Sequence, residues 1–302
     1  MLALIAPGQG SQTPGMLSSW IADSTLKTQL SAWSSAINLD LMHLGTTAAA
    51  AEIKDTANAQ PLIVATSLLA SHALGLHNVS VTSGHSVGEL AAAAISGAIS
   101  EFDALILVRA RGVEMATAAA QSPTGMSAIL GGERSEVLET IETLGLIPAN
   151  DNGAGQIVAA GDLKALATLS DNPPTGARIR ALAVAGAFHT EFMSPAVLPL
   201  RALATSMTTQ NVKLPFISNK DGALLDDGAA ILTRIVNQIT NPVRWDLCMA
   251  RLKSMGVTGV IELPPAGTLV GLLKREVPEI ETFALKSAED LLSAREFVGR
   301  HA

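Results

Sequence analysis

The sequence has few aromatic residues, a single cysteine and no long uninterrupted apolar stretch, and each scarcity excludes a class of protein. Aromatic residues make up 3% of its 302 residues and tyrosine is absent, so it lacks the stacking platforms with which proteins bind single-stranded nucleic acids. Cys248 is the only cysteine, which excludes an intramolecular disulfide, and no Cys/His cluster has zinc-site spacing. Residues Met1 to Pro7 lack the basic region of a signal peptide. We therefore expect a cytoplasmic protein.

Charge is also scarce, and it is unevenly distributed. Charged residues make up 16% of the chain and hydrophobic residues 48%, which excludes a disordered or coiled-coil protein. The 20 Lys and Arg residues against 27 Asp and Glu leave a net charge of −7, which argues against general attraction to nucleic acid or anionic lipid. Between Thr56 and Ser100 the only formal charge is Glu89. We expect the protein core to lie in that stretch.

The mean hydropathy of +0.35 raises the question of a membrane protein. A spanning helix needs about 18 or more predominantly apolar residues, and Ser, Thr, His, Gln or Gly interrupts every long apolar stretch here. We expect a soluble protein with no membrane partner. The mass of 31.1 kDa is about twice that of a usual single domain. A large core with a second module is therefore expected, in a monomeric protein.

Alternating strand and helix patterns predict an α/β fold with a parallel sheet. A strand is predicted at Leu2 to Ala6, and a buried helix at Pro61 to Leu76 has its proline in the first turn. The β-branched strand Val79 to Ser83 and an alanine-rich helix at Leu90 to Gly97 follow. Further predicted elements are a helix over Phe102 to Ala119, a strand over Val257 to Leu263, a helix over Thr268 to Arg275 and a C-terminal helix after Lys286.

The pattern changes between Gly125 and Phe188, where the order βαββαβ is typical of a ferredoxin-like module. We predict this module as an insertion at residues 125–188 of a larger domain formed by residues 1–124 and 189–302. Its predicted elements are the strand Met126 to Leu130, the helix Ser135 to Leu144, the strands Ile147 to Asn150 and Gln156 to Ala159, the helix Leu163 to Leu169 and the strand Arg178 to Val184.

Residues 84–88, Gly-His-Ser-Val-Gly, match the G-x-S-x-G pattern where a predicted strand meets the next helix. Glycines two residues either side of the serine prevent a collision as the chain reverses direction. Such a turn exposes the hydroxyl of Ser86, and the following helix aims the Val87 N–H at an oxyanion formed there. Ser86 is the predicted nucleophile. The alternative is a chance match in an ordinary turn.

A serine nucleophile needs a base, which histidine most often supplies. His85 is adjacent to Ser86, and because neighbouring side chains diverge at such a turn we interpret it as structural. His189, at the end of the predicted insertion, is the remaining candidate base, with a buried loop histidine as the alternative. The other histidines are simpler to interpret as packed or solvated side chains: His43, His72, His77 and His301.

The loop Gly8-Gln9-Gly10 follows the first predicted strand. It resembles the start of a dinucleotide fingerprint, but the sixth position is Thr13 rather than Gly or Ala. The alternative is a loop that supplies a second oxyanion N–H. The sequence contains neither the G-x-x-x-x-G-K-[ST] phosphate loop nor an H-E-x-x-H motif. We therefore expect acyl chemistry with no cofactor and no metal.

Arg109 and Arg111 lie in the helix after the uncharged stretch. A separation of two residues puts them about 200° apart around a helix, so we expect one to face solvent and the other the interior. An inward arginine without an acidic partner is costly unless a ligand carboxylate completes the pair. This pattern favours a substrate whose acyl group carries its own negative charge.

Taken together, these motifs resemble the malonyl-CoA:acyl carrier protein transacylase family along nearly the whole chain. The segments that carry the resemblance are Pro7-Gly8-Gln9-Gly10-Ser11-Gln12, Gly84-His85-Ser86-Val87-Gly88-Glu89, Arg111-Gly112, Gly186-Ala187-Phe188-His189 and Gln238 followed by Asn241-Pro242-Val243-Arg244-Trp245. The resemblance implies an α/β-hydrolase-like core with an inserted ferredoxin-like subdomain.

The resemblance also implies a two-step acyl exchange. Ser86 would attack the malonyl thioester, and His189 would take its proton and later give it to the departing thiolate. The backbone carbonyl of Gln238 would orient the histidine, so that no third acid is needed, in contrast to a Ser-His-Asp triad. The acceptor would be the thiol of acyl carrier protein.

Further residues match binding positions of the family. Gln9 and Val87 match the positions whose N–H groups form the oxyanion hole, and Arg111 matches the arginine that pairs with the malonyl carboxylate. Phe188 resembles the malonyl-selecting form of its loop, where a bulky ring limits space for an α-methyl group. Met115 is predicted to line the same pocket, with ordinary core packing as the alternative.

An acidic carrier protein would need a local basic patch on this acidic chain. The candidates are Arg178, Arg180, Lys220 and either Lys274 or Arg275, and the alternative for each is a solvated surface charge. The late Gly-Pro-Gly loop of the family is replaced here by residues 264–267, Pro-Pro-Ala-Gly. This departure weakens any inference about CoA contacts near that loop.

We therefore predict a malonyl transferase that uses malonyl-CoA and acyl carrier protein and supplies fatty-acid synthesis. A transferase of a polyketide synthase or of a malonate decarboxylase system is the alternative within the family. A serine esterase or thioesterase is the alternative from another class, favoured by the serine turn and weakened by Arg111.

Overall fold

The structure, a computed structural model, describes residues 1–75 and 77–301, and this part of the chain forms eleven strands and twelve α-helices. The strands are β1 (Leu2–Ala6), β2 (Val79–Gly84), β3 (Thr124–Gly131), β4 (Ile147–Asp151), β5 (Gln156–Asp162), β6 (Ala177–Ala181), β7 (Phe216–Ile217), β8 (Leu224–Leu225), β9 (Val243–Arg244), β10 (Gly259–Glu262) and β11 (Glu281–Ala284). The helices are α1 (Ser24–Ile37), α2 (Leu41–Thr46), α3 (Thr56–Leu74), α4 (Gly88–Ser96), α5 (Glu101–Ala119), α6 (Arg134–Thr143), α7 (Leu163–Asp171), α8 (Ser194–Thr205), α9 (Gly228–Gln238), α10 (Trp245–Ser254), α11 (Thr268–Glu276) and α12 (Leu291–His301).

The larger sheet has six strands in the order β11-β10-β1-β2-β7-β8. All neighbouring strands are parallel except β7 and β8, which are antiparallel. Every residue of the central strand β1 is buried, as expected where helices cover both faces of a parallel sheet. The predicted α/β fold with a parallel sheet is confirmed.

The second sheet has five strands in the order β6-β3-β5-β4-β9. Strand β3 pairs antiparallel with β5 and β6, and β4 pairs antiparallel with β5. With α6 and α7 between them, these four strands have the predicted βαββαβ order. The fifth strand, β9, comes from outside residues 125–188 and pairs parallel with β4. The boundaries of the predicted insertion stay a prediction.

Helix α3 explains why the sequence is nearly uncharged in this region. It is buried on almost all sides and begins at Thr56, where the side chain of Asp55 accepts from the Ala57 N–H. The prediction of Pro61 in the first turn is therefore wrong. The carbonyl of Ala57, which Pro61 cannot satisfy because it has no N–H, accepts instead from Arg109 Nη1 at 2.7 Å. The predicted end of this helix, Leu76, lies outside the described residues.

The strand predicted at Arg178 to Val184 is shorter in the structure and ends at Ala181. The N–H of Leu182 still donates to the carbonyl of Met126, but the Val184 N–H donates to the carbonyl of Leu182. The chain therefore turns away from the sheet. Leu182 and Val184 then line a cleft between the two sheets.

Five helices and several short strands were not predicted. Helix α1 carries its buried side chains at Leu26, Leu30, Trp33 and Ile37, so a helical period was present among many Ser and Thr residues. The other unpredicted helices are α2, α8, α9 and α10. Within the described ranges, no helix combines the length and apolar character that crossing a membrane requires.

Candidate active site

Ser86 lies in a sharp turn between β2 and α4, with a left-handed φ of 53°. A Cβ atom on Gly84 would lie 2.1 Å from the carbonyl carbon of Gly88, and one on Gly88 would lie 2.3 Å from the carbonyl oxygen of Ala6. Larger residues at either position would therefore force the strand and helix apart. The steric reason given for the two glycines of the motif is confirmed.

The structure brings Ser86 and His189 into contact across 103 positions of sequence. The Ser86 Oγ lies 2.7 Å from His189 Nε2, and His189 Nδ1 lies 2.9 Å from the backbone carbonyl oxygen of Gln238. Because a carbonyl oxygen only accepts, Nδ1 carries the proton and Nε2 accepts from the serine hydroxyl. The predicted nucleophile, base and orienting residue thus form one chain of hydrogen bonds.

The imidazole of His189 is held in its neutral form. Burial is the largest cause, followed by the positive charge of Arg111, and together they lower the pKa of His189 to about 3. The carbonyl of Gln238 opposes this shift. At neutral pH the ring therefore has a free lone pair at Nε2 for the serine proton.

The backbone N–H groups of Gln9 and Val87 have no hydrogen-bond acceptor within the described residues, and both residues line the cleft beside Ser86. The Ser86 N–H, in contrast, donates to Asn219 Oδ1 at 2.8 Å. Val87 directly precedes α4, whose N-terminus carries a partial positive charge. Two free donors next to a serine hydroxyl form the arrangement that an oxyanion requires.

Arg111 is the inward member of the arginine pair, with 2% of its surface exposed. Its Nη2 lies 3.2 Å from Gln238 Oε1 and 3.4 Å from Ser86 Oγ, and its Nη1 donates to Gln60 Oε1 at 2.7 Å. Its Nε has no partner in the described part of the chain. Burial lowers the pKa of Arg111 to about 10, which leaves it charged at neutral pH. A buried cation held by neutral oxygens beside the nucleophile is suited to an anionic ligand.

Gln60, which the sequence analysis did not single out, joins the two sides of the site. Its Oε1 accepts from Arg111, while its Nε2 lies 3.5 Å from Gln9 Oε1 and 3.7 Å from Met115 Sδ. Gln9 in turn donates to Thr56 Oγ1 at 3.3 Å. A neutral glutamine in an apolar helix gave no signal in the sequence beyond being a buried polar residue in a charge-poor stretch.

These groups line a cleft of about 380 Å³ between the two sheets. Strands β3, β5 and β6 form one wall, and the loop after β1 forms another. Phe188 and Met115 both line the cleft and are 5% and 1% exposed. Their roles in substrate binding and substrate choice stay predictions.

His85 takes no part in the Ser86–His189 pair. Its Nε2 lies 2.8 Å from Asn152 Oδ1, at the start of the loop after β4, and its ring packs edge-on against Trp245. Burial lowers the pKa of His85, so it too is neutral. This histidine connects the serine turn to the second sheet, consistent with the structural role predicted for it.

Two buried residues behind the serine turn complete the network. The carboxylate of Glu89 accepts from the Asn219 N–H at 2.6 Å and from Gln238 Nε2 at 2.5 Å. Asn219 Oδ1 also accepts from Gln238 Nε2 at 3.2 Å. Burial raises the pKa of Glu89 to about 8, against the lowering effects of the Asn219 N–H and the positive charge of Arg111. In the sequence, Glu89 is marked only as the single formal charge between Thr56 and Ser100 and as the last residue of the serine motif.

Comparisons with known proteins agree with this geometry. Residues 4–295 match the acyl transferase domain family. The chain belongs to the acyl transferase family. It is 53% identical to the malonyl CoA-acyl carrier protein transacylase of Mycobacterium tuberculosis, over 96% of this chain and 98% of that protein.

Solved structures of this family share the fold. The MCAT crystal structure from Mycobacterium tuberculosis matches with a TM-score of 0.95 and 52% identity, over 98% of this chain and 99% of that one. A malonyl-transacylase in complex with a type II PKS acyl-carrier protein matches with a TM-score of 0.92 and 29% identity, over 98% and 99% of the two chains. The family resemblance and the α/β-hydrolase-like core with a ferredoxin-like subdomain are confirmed.

The loop at residues 264–267, which departs from the usual pattern of the family, precedes α11. The buried carboxylate of Glu262 accepts from the N–H groups of Gly267, Leu269 and Val270 at 2.9 to 3.1 Å. The first N–H groups of α11 have no partner within the helix, and the Glu262 side chain of the same chain accepts from them. In residues 1–75 and 77–301, no group of three His, Cys, Asp or Glu side chains is arranged to hold a metal.

The basic residues predicted to face an acidic partner lie in three places. Arg178 and Arg180 are exposed on the edge strand β6, on the same face because they are two residues apart. Arg180 also lines the cleft. Lys274 and Arg275 lie in the last turn of α11. Lys220 lines a separate cavity of about 230 Å³, so the five residues do not form one patch at the cleft.

Proposed function

We propose that this protein transfers the malonyl group of malonyl-CoA to the phosphopantetheine thiol of acyl carrier protein, and so supplies fatty-acid synthesis. The observation that carries this proposal is the buried Arg111 guanidinium, which lies 3.4 Å from the Ser86 hydroxyl and is hydrogen-bonded to neutral oxygens. An acyl group with a free carboxylate would complete this pair. The names of the curated relatives agree with it.

In the first half-reaction Ser86 Oγ attacks the thioester carbonyl carbon while its proton moves to His189 Nε2. The carbonyl oxygen becomes an oxyanion, which accepts from the free N–H groups of Gln9 and Val87. The intermediate then expels the CoA thiolate, and His189 returns the proton to that sulfur. The products are malonyl-Ser86 and free CoA thiol.

The second half-reaction reverses this path with a different thiol. The carrier thiol gives its proton to His189 Nε2 and attacks the ester carbon, and the same two N–H groups stabilise the oxyanion. Ser86 leaves as the alkoxide and takes the proton back from His189. The Gln238 carbonyl holds the ring throughout, and because Nδ1–H already has this acceptor, the mechanism needs no third acid.

Arg111 would anchor the malonyl carboxylate in both half-reactions. The anchor fixes the thioester carbon next to Ser86, which supplies the orientation that a transfer between two large substrates requires. Phe188 would limit the space beside the malonyl α-carbon, and Met115 would form the apolar side of the same pocket. A steric preference of this kind is worth about 1–3 kcal/mol for one methyl group, so discrimination against methylmalonyl is graded.

The proposed protein partner is an acidic carrier, which would dock through a local basic surface. Arg180 on the edge strand β6 lines the cleft, and Arg178 lies two residues before it on the same strand. The whole chain has a net charge of −7, so other parts of its surface would repel the carrier and favour this one approach. We also propose a cytoplasmic monomer that uses no cofactor, in which residues 125–188 are an insertion in the catalytic domain of residues 1–124 and 189–302.

The decisive experiment follows radiolabelled malonyl from CoA to a purified carrier protein, with acetyl-CoA and methylmalonyl-CoA as competitors. With malonyl-CoA alone, we expect one label per chain on Ser86, which Ser86→Ala abolishes. Addition of the carrier protein then moves the label to its thiol. Rapid release of free malonate instead of stable labelling would contradict the proposal and favour a thioesterase.

A polyketide carrier is a second candidate acceptor because one structure with the same fold is a malonyl-transacylase in complex with a type II PKS acyl-carrier protein. The arrangement of Ser86, His189 and Arg111 would serve either acceptor equally well. Parallel assays with carrier proteins of the two pathways distinguish them by the ratio of their kcat/KM values.

A further inference from the structure

Glu89 and Asn219 form a buried cluster with Gln238 behind the serine turn, and hydrogen bonds connect this cluster to three groups in the proposed mechanism. Asn219 Oδ1 accepts from the Ser86 N–H at 2.8 Å. The backbone carbonyl of Gln238 accepts from His189 at 2.9 Å, and the side-chain Oε1 of Gln238 accepts from Arg111 at 3.2 Å.

Glu89 is the member that fixes the direction of these bonds. Its two carboxylate oxygens accept from the Asn219 N–H at 2.6 Å and from Gln238 Nε2 at 2.5 Å. With Nε2 held by the carboxylate, the oxygen of the Gln238 amide must face Arg111. A reversed amide would place NH₂ against the guanidinium, two donors facing one another.

We propose that Glu89 is a positioning residue for malonyl transfer, which through Gln238 aims Arg111 at the substrate carboxylate and keeps His189 aligned with Ser86. This inference rests on the proposed function. The role of Glu89 is indirect, because Glu89 does not line the cleft and touches no proposed substrate atom.

A second cavity adjoins Glu89. It has a volume of about 230 Å³, shares no lining residue with the active-site cleft, and is lined by Glu89, Ser218, Lys220, Arg234, Asn237, Gln238 and Asn241. Protons can therefore exchange at the Glu89 carboxylate while acyl-CoA fills the cleft. Glu89 is buried at 1% exposure, so this route matters for its titration.

The titratable groups around Glu89 come from three helices and the loop after β7. Arg111 on α5 and Arg234 on α9 favour its carboxylate, while Asp221 after β7 disfavours it. The thiol of Cys248 on α10 is neutral because burial raises its pKa far above the usual range. Burial raises the pKa of Glu89 to about 8, so it changes charge near neutral pH.

The matched variants are Glu89→Gln, which keeps the shape and removes the charge, and Glu89→Asp, which keeps the charge on a shorter side chain. In Glu89→Gln, either the Asn219 N–H or Gln238 Nε2 must face the new NH₂ group. The alternative is that the Gln238 amide reverses and turns its NH₂ group toward Arg111. Glu281→Gln is the control, because Glu281 lies on the outer strand β11 and pairs with Arg300 and His301.

Kinetic constants for malonyl-CoA and acetyl-CoA are then measured for each variant at about pH 9, where the carboxyl of Glu89 in the wild type is ionised. For Glu89→Gln we expect the KM for malonyl-CoA to rise roughly tenfold relative to that for acetyl-CoA, as when one hydrogen bond to a charged group is lost. We expect kcat to fall with both donors, because His189 loses its alignment. Glu89→Asp should recover part of both effects, and Glu281→Gln should match wild type.

Two effects of Glu89→Gln oppose each other, which makes the result decisive. Removing the negative charge also removes a repulsion toward the malonyl carboxylate, and this alone would lower the KM. Arg234 already offsets that repulsion, so we expect orientation to dominate. A malonyl-to-acetyl KM ratio that is unchanged or lower would overturn the inference.

The pH dependence of the wild-type protein tests the inference even where Glu89→Gln fails to fold. Below a pH of about 8 the protonated carboxyl, like glutamine, presents a donor to one of its N–H neighbours. The malonyl-to-acetyl KM ratio should therefore fall as the pH rises through about 8, and using the ratio cancels titration of CoA itself. A flat ratio overturns the inference. If the wild-type protein transfers no malonyl group at all, the proposed function itself is wrong.

Discussion

Replacement of Arg111 by alanine tests the carboxylate anchor directly. In the free protein its guanidinium is buried and its contacts are the oxygens of Gln60, Gln238 and Ser86. When malonyl-CoA binds to Arg111→Ala, its carboxylate enters the same enclosed space without a cation. Acetyl-CoA places a methyl group there and loses no ion pair.

The expected magnitude follows from the burial of the pair. Removal of one partner of a buried ion pair costs about 3–5 kcal/mol, and each 1.36 kcal/mol is a factor of ten. Water entering the cleft of about 380 Å³ would solvate part of the exposed carboxylate. We therefore expect the lower end, a loss of roughly 100-fold in kcat/KM for malonyl transfer.

The assay compares kcat/KM for malonyl-CoA and acetyl-CoA in wild type, Arg111→Ala and the control Arg109→Ala. Arg109 lies two residues away on the same helix and donates to the Ala57 carbonyl at 2.7 Å. Its removal should lower stability by about 1 kcal/mol and leave the ratio of the two substrates unchanged. Equal losses for both substrates in Arg111→Ala would refute the anchor.

Three further outcomes are expected. His189→Ala should slow acylation of Ser86 by roughly 10² to 10⁴, whereas His85→Ala should slow it less, since His85 contacts Asn152 rather than the serine; the opposite order in a labelling time course would exchange their roles. Because the lowered pKa of His189, about 3, keeps the ring neutral above that value, the acylation rate at saturating malonyl-CoA should stay level from about pH 7 to pH 5; a decline centred on the ordinary histidine value of 6.5 would contradict this. Phe188→Ala should improve methylmalonyl transfer relative to malonyl transfer by about 1–3 kcal/mol, and a competition assay in which both substrates change equally would place the selectivity elsewhere.

The parts of the site that sequence predicts are those fixed by local sterics. The turn at Ser86 requires small residues at positions 84 and 88, and this requirement is visible in five consecutive residues. Helical geometry predicted that one of Arg109 and Arg111 faces inward, and only the family resemblance singled out Arg111. The role of Gln238 was predicted only from the family resemblance. Every residue has a backbone carbonyl, so the sequence around position 238 does not show that this one accepts from a distant histidine.

The parts that sequence does not predict are neutral side chains that meet through the fold. Gln60 and Asn219 contact Arg111 and Ser86 from positions 51 and 133 residues away, and amides of this kind occur throughout any sequence. The start of α3 was misplaced for a similar reason. Pro61 is tolerated inside the helix because Arg109, from another helix, supplies the donor that the Ala57 carbonyl lacks.

The single charge in the stretch from Thr56 to Ser100 was the one available signal for the buried network. A carboxylate among apolar residues must have hydrogen-bond donors or lose its charge. Glu89 has two donors, and it affects Arg111 through its charge rather than by a direct hydrogen bond.

The side chain of Gln238 lies between Glu89 and Arg111 and keeps the two charged groups apart. A carboxylate bound directly to the Arg111 guanidinium would satisfy it and would compete with the carboxylate of the substrate. With Gln238 between them, Glu89 raises the pKa of Arg111 against the effect of burial while leaving the contacts of the guanidinium to neutral oxygens. Neutral acceptors bind a cation less strongly than a carboxylate does. The substrate can therefore displace them, and the protein keeps a charged arginine in its interior that is free to bind an anion.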